Sequence, residues 1–188
     1  MTRVIGERRA GVGRALARGA LILGALALHA PQVRAHSASD AYLTLTVDAG
    51  KTTGQRVIHG QWDIALRDLD FVLKLDDNGD GHLTWGEVRR HQDAIARYAY
   101  GNLHLSGAAG GACRINPERQ MIDDHADGAY AVLVFTAICA PQTTKLALAY
   151  GIFFAIDPSH RGIFVMQNGA STATAVLSPE HAMIDLSL

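Results

Sequence analysis

The chain has 188 residues, 48% of them hydrophobic and 19% charged, with a formal net charge of −1 at pH 7. That apolar content excludes a disordered chain. The charge balance shows neither the basic excess of a nucleic-acid binder nor an acidic tail, so no nucleic-acid partner is expected.

The N-terminus is composed differently from the rest. Arg3, Arg8, Arg9, Arg14 and Arg18 stand against one acid, Glu7, and the apolar run GALILGALALHA follows. Then comes PQVRAHS, with Val33 and Ala35 three and one residues before a cut after Ala35. Basic, apolar and small residues in that order predict a secretory signal peptide over residues 1–35. The apolar run is too short to span a bilayer comfortably. The pair Arg8-Arg9 permits the twin-arginine route, but Ala10, Gly11 and Val12 suit it poorly, so the general secretory route is expected. The mature protein is then a single exported domain over residues 36–188, secreted or periplasmic. In that compartment the two cysteines, Cys113 and Cys139, are expected to form a disulfide. A bridge of this span typically stabilises by about 3 kcal/mol.

AYLTLTVD (41–48) alternates with the period of a strand, and RVIHGQW (56–62) is its expected hairpin partner across the turn AGKTTGQ. From Trp62 the period changes. Leu66, Leu69, Val72, Leu73 and Leu75 recur at three- and four-residue steps, which predicts an amphipathic helix. A second helix is expected over 84–100, with Trp85, Val88, Ile95 and Tyr98 as its apolar stripe and Gly101 and Asn102 as stop signals. The remainder breaks into short apolar or alternating runs: LHLSG, ACRI, GAYAVLVFTAIC, TKLALAYGIFF, GIFVMQNG, STATAVL and AMIDLSL. Turn-forming residues separate them, as in an antiparallel sheet or sandwich, and 130–139 is the best candidate for a central strand. The fold class expected is α+β: an antiparallel sheet or sandwich with an inserted helix–loop–helix unit at about 63–100.

The loop of that unit carries the chemistry. In DDNGDGHLTWGE, Asp76 is first, Asn78 third, Asp80 fifth, Gly81 sixth, His82 seventh, Thr84 ninth and Glu87 twelfth. These positions fit D-x-[DN]-x-[DN]-G-x5-E, the calcium loop of an EF-hand. Ca²⁺ is a hard cation that takes six to eight oxygens. Side chains at alternate positions turn inward as the chain curls, and Gly81 supplies the bend. His82 offers its backbone carbonyl, Thr84 binds directly or through water, and Glu87 brings both carboxylate oxygens. Mg²⁺ is smaller and gains less from that bidentate Glu. The expected metal ligands are therefore Asp76, Asn78, Asp80, His82, Thr84 and Glu87, with Ca²⁺ as the ion. No second loop of this pattern occurs in the sequence. A solitary loop suggests a Kd of about 10⁻⁴–10⁻³ M, as in extracellular modules.

Other clusters read differently. DDHADG, with Asp123, Asp124, His125 and Asp127, reads as a solvated turn, with a second metal site as its alternative. DPSHRG around His160 is likewise a turn. His36 would be the mature N-terminus, where an amine and an imidazole together can bind Cu²⁺ or Ni²⁺. No nucleophile elbow, Cys/His pair or phosphate loop is present, and no enzyme is expected. A hydrolase that uses calcium for stability is a third reading, and the sequence offers it no convincing nucleophile or acid pair.

Several segments together, AHSASDAYLTLTVD, GQWDIALRDLDFVLKLDDNGDGHLTWGEV, DGAYAVLVFTAIC, YGIFFAIDPSHRGIF and TAVLSPEH, resemble the exported N-terminal region of bacterial HupE/UreJ-like membrane proteins. The resemblance runs from about Ala35 to Leu188. In that family a bundle of transmembrane helices related to nickel and cobalt permeases typically follows. This sequence ends at Leu188 without such helices, so the resemblance implies a detached or truncated extracytoplasmic domain beside metal transport. It implies no catalytic residues. The function expected is calcium binding, structural or sensory, beside a membrane partner. The alternative is an accessory domain that handles nickel, cobalt or copper through His36 and other imidazoles.

Overall fold

Two neighbouring strands set the geometry of everything that follows. In the computed structural model, which describes residues 39–48, 55–107 and 111–188, β1 (Asp40–Val47) and β2 (Arg56–Ala65) pair antiparallel, with Leu43 opposite Trp62. This is the expected hairpin. The predicted signal peptide, His36 and most of the predicted turn at 49–55 lie outside the described residues.

β2 runs through Ala65, beyond the expected end at Trp62, so the helix predicted from Trp62 begins only at Leu66. Ile58, Trp62 and Ile64 are all fully buried, and β2 is paired on its other side with β5, Ala65 lying opposite Tyr130. Pairing on both edges outweighs the local helical period. The helix α1 (Leu66–Leu73) then leaves the strand with no intervening loop and buries Leu66 and Leu69. The single helix predicted over 84–100 is two: α2 (Trp85–Arg90) and α3 (Gln92–Gly101), with His91 between them at φ −97° and ψ 5°. Val88 and Ile95 are buried as the stripe requires, whereas Trp85 is half exposed. α3 stops at Gly101, and Asn102 caps it.

The remaining strands are β3 (Leu103–Gly107), β4 (Arg114–His125), β5 (Gly128–Cys139), β6 (Lys145–Tyr150), β7 (Arg161–Asn168), β8 (Ser171–Leu177) and β9 (Met183–Ser187). They form a six-stranded sheet in the order β4-β5-β2-β1-β7-β8 and a three-stranded sheet in the order β3-β6-β9. The fold is thus α+β and mostly strand. The six-stranded sheet is mixed, because β1 and β7 run parallel. A parallel pair needs a long crossover, and all the chain between these two strands supplies one. β5 is an interior strand as expected, although β2 and β1 occupy the middle of the sheet.

Two further expectations are corrected. The run predicted to continue as strand through Phe154 leaves the sheet after Tyr150, and Phe153 adopts φ 63° while staying buried. The cluster read as a turn at 123–128 is largely strand: β4 extends to His125, and only Ala126 and Asp127 connect it to β5. β4 is a mostly exposed edge strand with a bulge at Pro117–Arg119, so it carries little apolar alternation to announce it.

The two sheets share one core. Trp62 of β2 lies 5.4 Å, centroid to centroid, from Tyr150 of β6. Gly162 of β7 sits against the same tyrosine, and a Cβ there would fall 2.8 Å from its Cζ, so the approach of the two layers needs glycine. Cys113 and Cys139 are joined by a disulfide that ties the entrance of β4 to the end of β5.

His160, in the expected turn, is fully buried. Its Nδ1 lies 2.7 Å from Ser39 Oγ and its Nε2 lies 2.8 Å from Tyr150 Oη, while Ser39 Oγ donates to Asp68 Oδ2 at 2.9 Å. This chain pins the start of β1 to β6 and α1. Burial pushes His160 down to about 4, against the opposing pull of Asp157. The imidazole is therefore neutral in the folded protein and gains a proton on unfolding at any pH between about 4 and 6.5. Its contribution to stability is complete above about pH 6.5 and is lost as pH falls towards 4. Denaturant titrations should show about 2–3 kcal/mol less stability at pH 4.5 than at pH 7. His160→Gln, which cannot titrate, should flatten the profile across that interval.

Candidate metal centre

The candidate loop is fixed at its entrance by α1. Lys74 ends the helix at φ 55°, its N–H donating to the Asp70 carbonyl at 2.8 Å. The Asp70 carboxylate then accepts the next two backbone donors, Leu75 N at 2.7 Å and Asp76 N at 3.0 Å. Helix ends leave carbonyls and amides unpaired, and here one side chain both closes the helix and starts the loop. Leu75 is fully buried, so the entrance is also anchored in the core.

Beyond Leu75 the alternate side chains fold back onto their own loop. Asp76 accepts Gly79 N through Oδ1 and Gly81 N through Oδ2, both at 2.8 Å. Asn78 Oδ1 accepts Asp80 N, and Asp80 Oδ1 accepts His82 N, again at 2.8 Å. Asn78 Nδ2 donates to Asp80 Oδ2 at 3.0 Å. Gly79 and Gly81 take φ +71° and +79°, the left-handed region that side chains with a Cβ resist. The N–H of Gly81, helped by that of Gly79, holds the Asp76 carboxyl below its usual range against the opposing cost of desolvation.

The exit is a capping box. Thr84 Oγ1 accepts Glu87 N at 3.3 Å, while Glu87 Oε2 accepts Thr84 N at 2.9 Å and Thr84 Oγ1–H at 2.7 Å. Two orphan amides of α2 are satisfied this way. Glu87 is 3% exposed. The Thr84 hydroxyl, then its N–H, keeps the Glu87 carboxyl ionised below its usual range, while desolvation and the negative charge of Asp76 push the other way.

Asp76, Asn78, Asp80, His82 and Thr84 therefore lie on the segment between α1 and α2, and Glu87 lies in the first turn of α2; Asn78, Asp80 and His82 are exposed, Asp76 is half-buried and Glu87 is buried. Among the described residues, no three His, Cys, Asp or Glu side chains are gathered as a metal cluster. Asp76, Asp80 and Glu87 are thus not brought together as one cluster in this structure. Both Thr84 bonds fall on one oxygen of Glu87. Carboxylates have about four lone-pair sites, so the N–H bonds to Asp76 and Asp80 leave acceptor capacity on each.

The sequence reading missed Asp70, Asp77, Arg90 and His91. Asp70 lay hidden inside a helical pattern, and the contact of Asp77 with residues 13 and 14 positions later has no local signature. The loop also forms one wall of a cleft of about 600 Å³, with Leu66, Arg67 and Asp70 of α1, Gly81 and His82 of the loop, and Tyr130 of β5 among its lining. Arg67 reaches Asp127 there at 3.7 Å, and the Tyr130 hydroxyl donates to the same carboxylate at 2.9 Å.

Two glycines separate backbone need from helix propensity. Gly81→Ala must hold a Cβ at positive φ and should cost about 1 kcal/mol or more. Gly86 sits within α2, where a new Cβ meets nothing closer than 3.6 Å, so Gly86→Ala should gain up to about 1 kcal/mol. Denaturant midpoints of the two variants should move in opposite directions.

No protein-family model matches this chain, and no curated protein matches it either.

Proposed function

We propose that the segment Asp76–Glu87 binds calcium and that the protein is an exported calcium-binding domain with a structural or sensory role beside a membrane partner. The observation that carries this reading is the alternation of oxygen-bearing side chains at Asp76, Asn78 and Asp80, each accepting a backbone N–H of the loop around Gly81 at positive φ. The donor set is all oxygen, as a hard cation of this size prefers. Asp76, Asn78 and Asp80 would supply side-chain oxygens, His82 its carbonyl, Thr84 a direct or water-mediated contact, and Glu87 a carboxylate. Bound calcium would neutralise the repulsion between the Asp76 and Glu87 charges. In this reading α1, the loop and α2 form an EF-hand unit whose exit helix is interrupted at His91.

The Cys113–Cys139 bridge supports an oxidising compartment. The basic, apolar and small-residue order of residues 1–35 supports export into it. Among the described residues no helix is long and apolar enough to cross a membrane. The membrane partner follows from the resemblance to HupE/UreJ-like proteins.

Thermal melting tests the proposal. With a Kd of about 10⁻⁴–10⁻³ M, 10 mM Ca²⁺ should stabilise by about 1.4–2.7 kcal/mol and raise Tm by several degrees, with a smaller rise in Mg²⁺. Glu87→Gln should abolish most of that rise. His82→Ala, which keeps the backbone carbonyl, should retain it. An unchanged Tm in 10 mM Ca²⁺ would overturn the reading.

A further inference from the structure

Asp77 sits between Asp76 and Asn78, yet its carboxylate faces away from theirs. Its Oδ2 accepts Arg90 Nε at 2.8 Å and lies 2.7 Å from Arg90 Nη2, while its Oδ1 lies 2.8 Å from His91 Nε2. Arg90 is the last residue of α2, and His91 is the break between α2 and α3. The contact therefore joins the acidic half of the loop to the turn that follows Glu87. At His91 the helical ladder also changes: its N–H is shared between the carbonyls of Glu87 and Val88, each at 3.2 Å.

We propose that Asp77, Arg90 and His91 form a brace that holds Asp76, Asn78 and Asp80 in fixed register with Glu87, and that this brace sets the affinity of the loop for calcium. The inference rests on the calcium reading above. A site whose ligands come from both ends of a twelve-residue loop must otherwise order those ends when the ion arrives, at a cost in conformational entropy. The sequence contains no second loop of this pattern to stiffen the first. The brace does so from within the chain, with both carboxylate oxygens of Asp77 engaged outside the site. Asp77 is thus a positioning residue and not a ligand.

The sign of one substitution separates bracing from simple electrostatics. Arg90 is a cation close to a cation site, so charge alone requires that its removal tighten calcium binding. The brace requires the reverse. Arg90 is 59% exposed, which keeps its replacement from threatening the core. Calorimetric titration of the full-length protein with CaCl₂ should show Arg90→Gln binding about fivefold more weakly than wild type. Arg90→Lys, a point charge without the planar fork, should recover part of that loss. Asp77→Asn combined with Arg90→Gln should be no weaker than Asp77→Asn alone, because the two act through one contact. Wild-type binding together with unchanged or tighter binding by Arg90→Gln overturns the brace and leaves the calcium reading standing. Absence of binding by the wild type overturns both.

Discussion

The loop between α1 and α2 depends on one local exchange: backbone N–H groups that no helix or sheet can pair are taken up by the loop's own carboxylates and amide. Asp76 alone accepts two of them, from Gly79 and Gly81. Without these bonds the amides would turn to water and the side chains would be free to splay apart. With them, each donor holds a side-chain oxygen against the loop backbone, and the positive φ of Gly81 becomes a requirement of the path. The same bonds lower the proton affinity of Asp76 and favour its charged form.

That exchange works because both ends of the segment are held. At the entrance, β2 passes directly into α1, and β2 is paired on one side with β1 and on the other with β5. The last turn of α1 therefore inherits the position of an interior strand, and the Asp70 carboxylate passes it on to Leu75 and Asp76. At the exit, Val88 is buried, and the Thr84–Glu87 box fixes the first turn of α2. The loop is polar and exposed at its tip, but its boundary conditions come from the core.

Much of this was legible from residue order because its determinants are local. The loop pattern, the helical stripe at Leu66 and Leu69, the strands STATAVL and GAYAVLVFTAIC, and the Cys113–Cys139 pairing all rest on spacing within a few residues or on a count of two. What escaped the sequence is non-local. Whether Trp62–Ala65 is strand or helix depends on β5, nearly seventy residues away in the chain. The break at His91 coincides with a contact to Asp77 that no periodicity encodes. The buried position of His160 depends on Tyr150, ten residues earlier, and on Ser39, 121 residues earlier in the chain. β4 was missed for a different reason: an edge strand with one partner and solvent on much of its surface has little need of apolar alternation.

The charges of the segment are arranged so that not all of them oppose one another. Asp77 is paired outward with Arg90 and His91, and Asp70 is occupied in capping, which removes two of the acidic groups from the concave side. Asp76, Asp80 and Glu87 remain, together with two neutral oxygen donors, Asn78 and Thr84. Asp76 pushes the Glu87 carboxyl upward, but hydrogen bonds more than offset this, and both carboxyls are held below their usual range. Ionisation of Asp76 and Glu87 thus favours the folded chain, because their oxygens accept the N–H groups of Gly79, Gly81 and Thr84. The charge of the segment is therefore matched to the donors of its own turn and cap, which hold both carboxylates ionised.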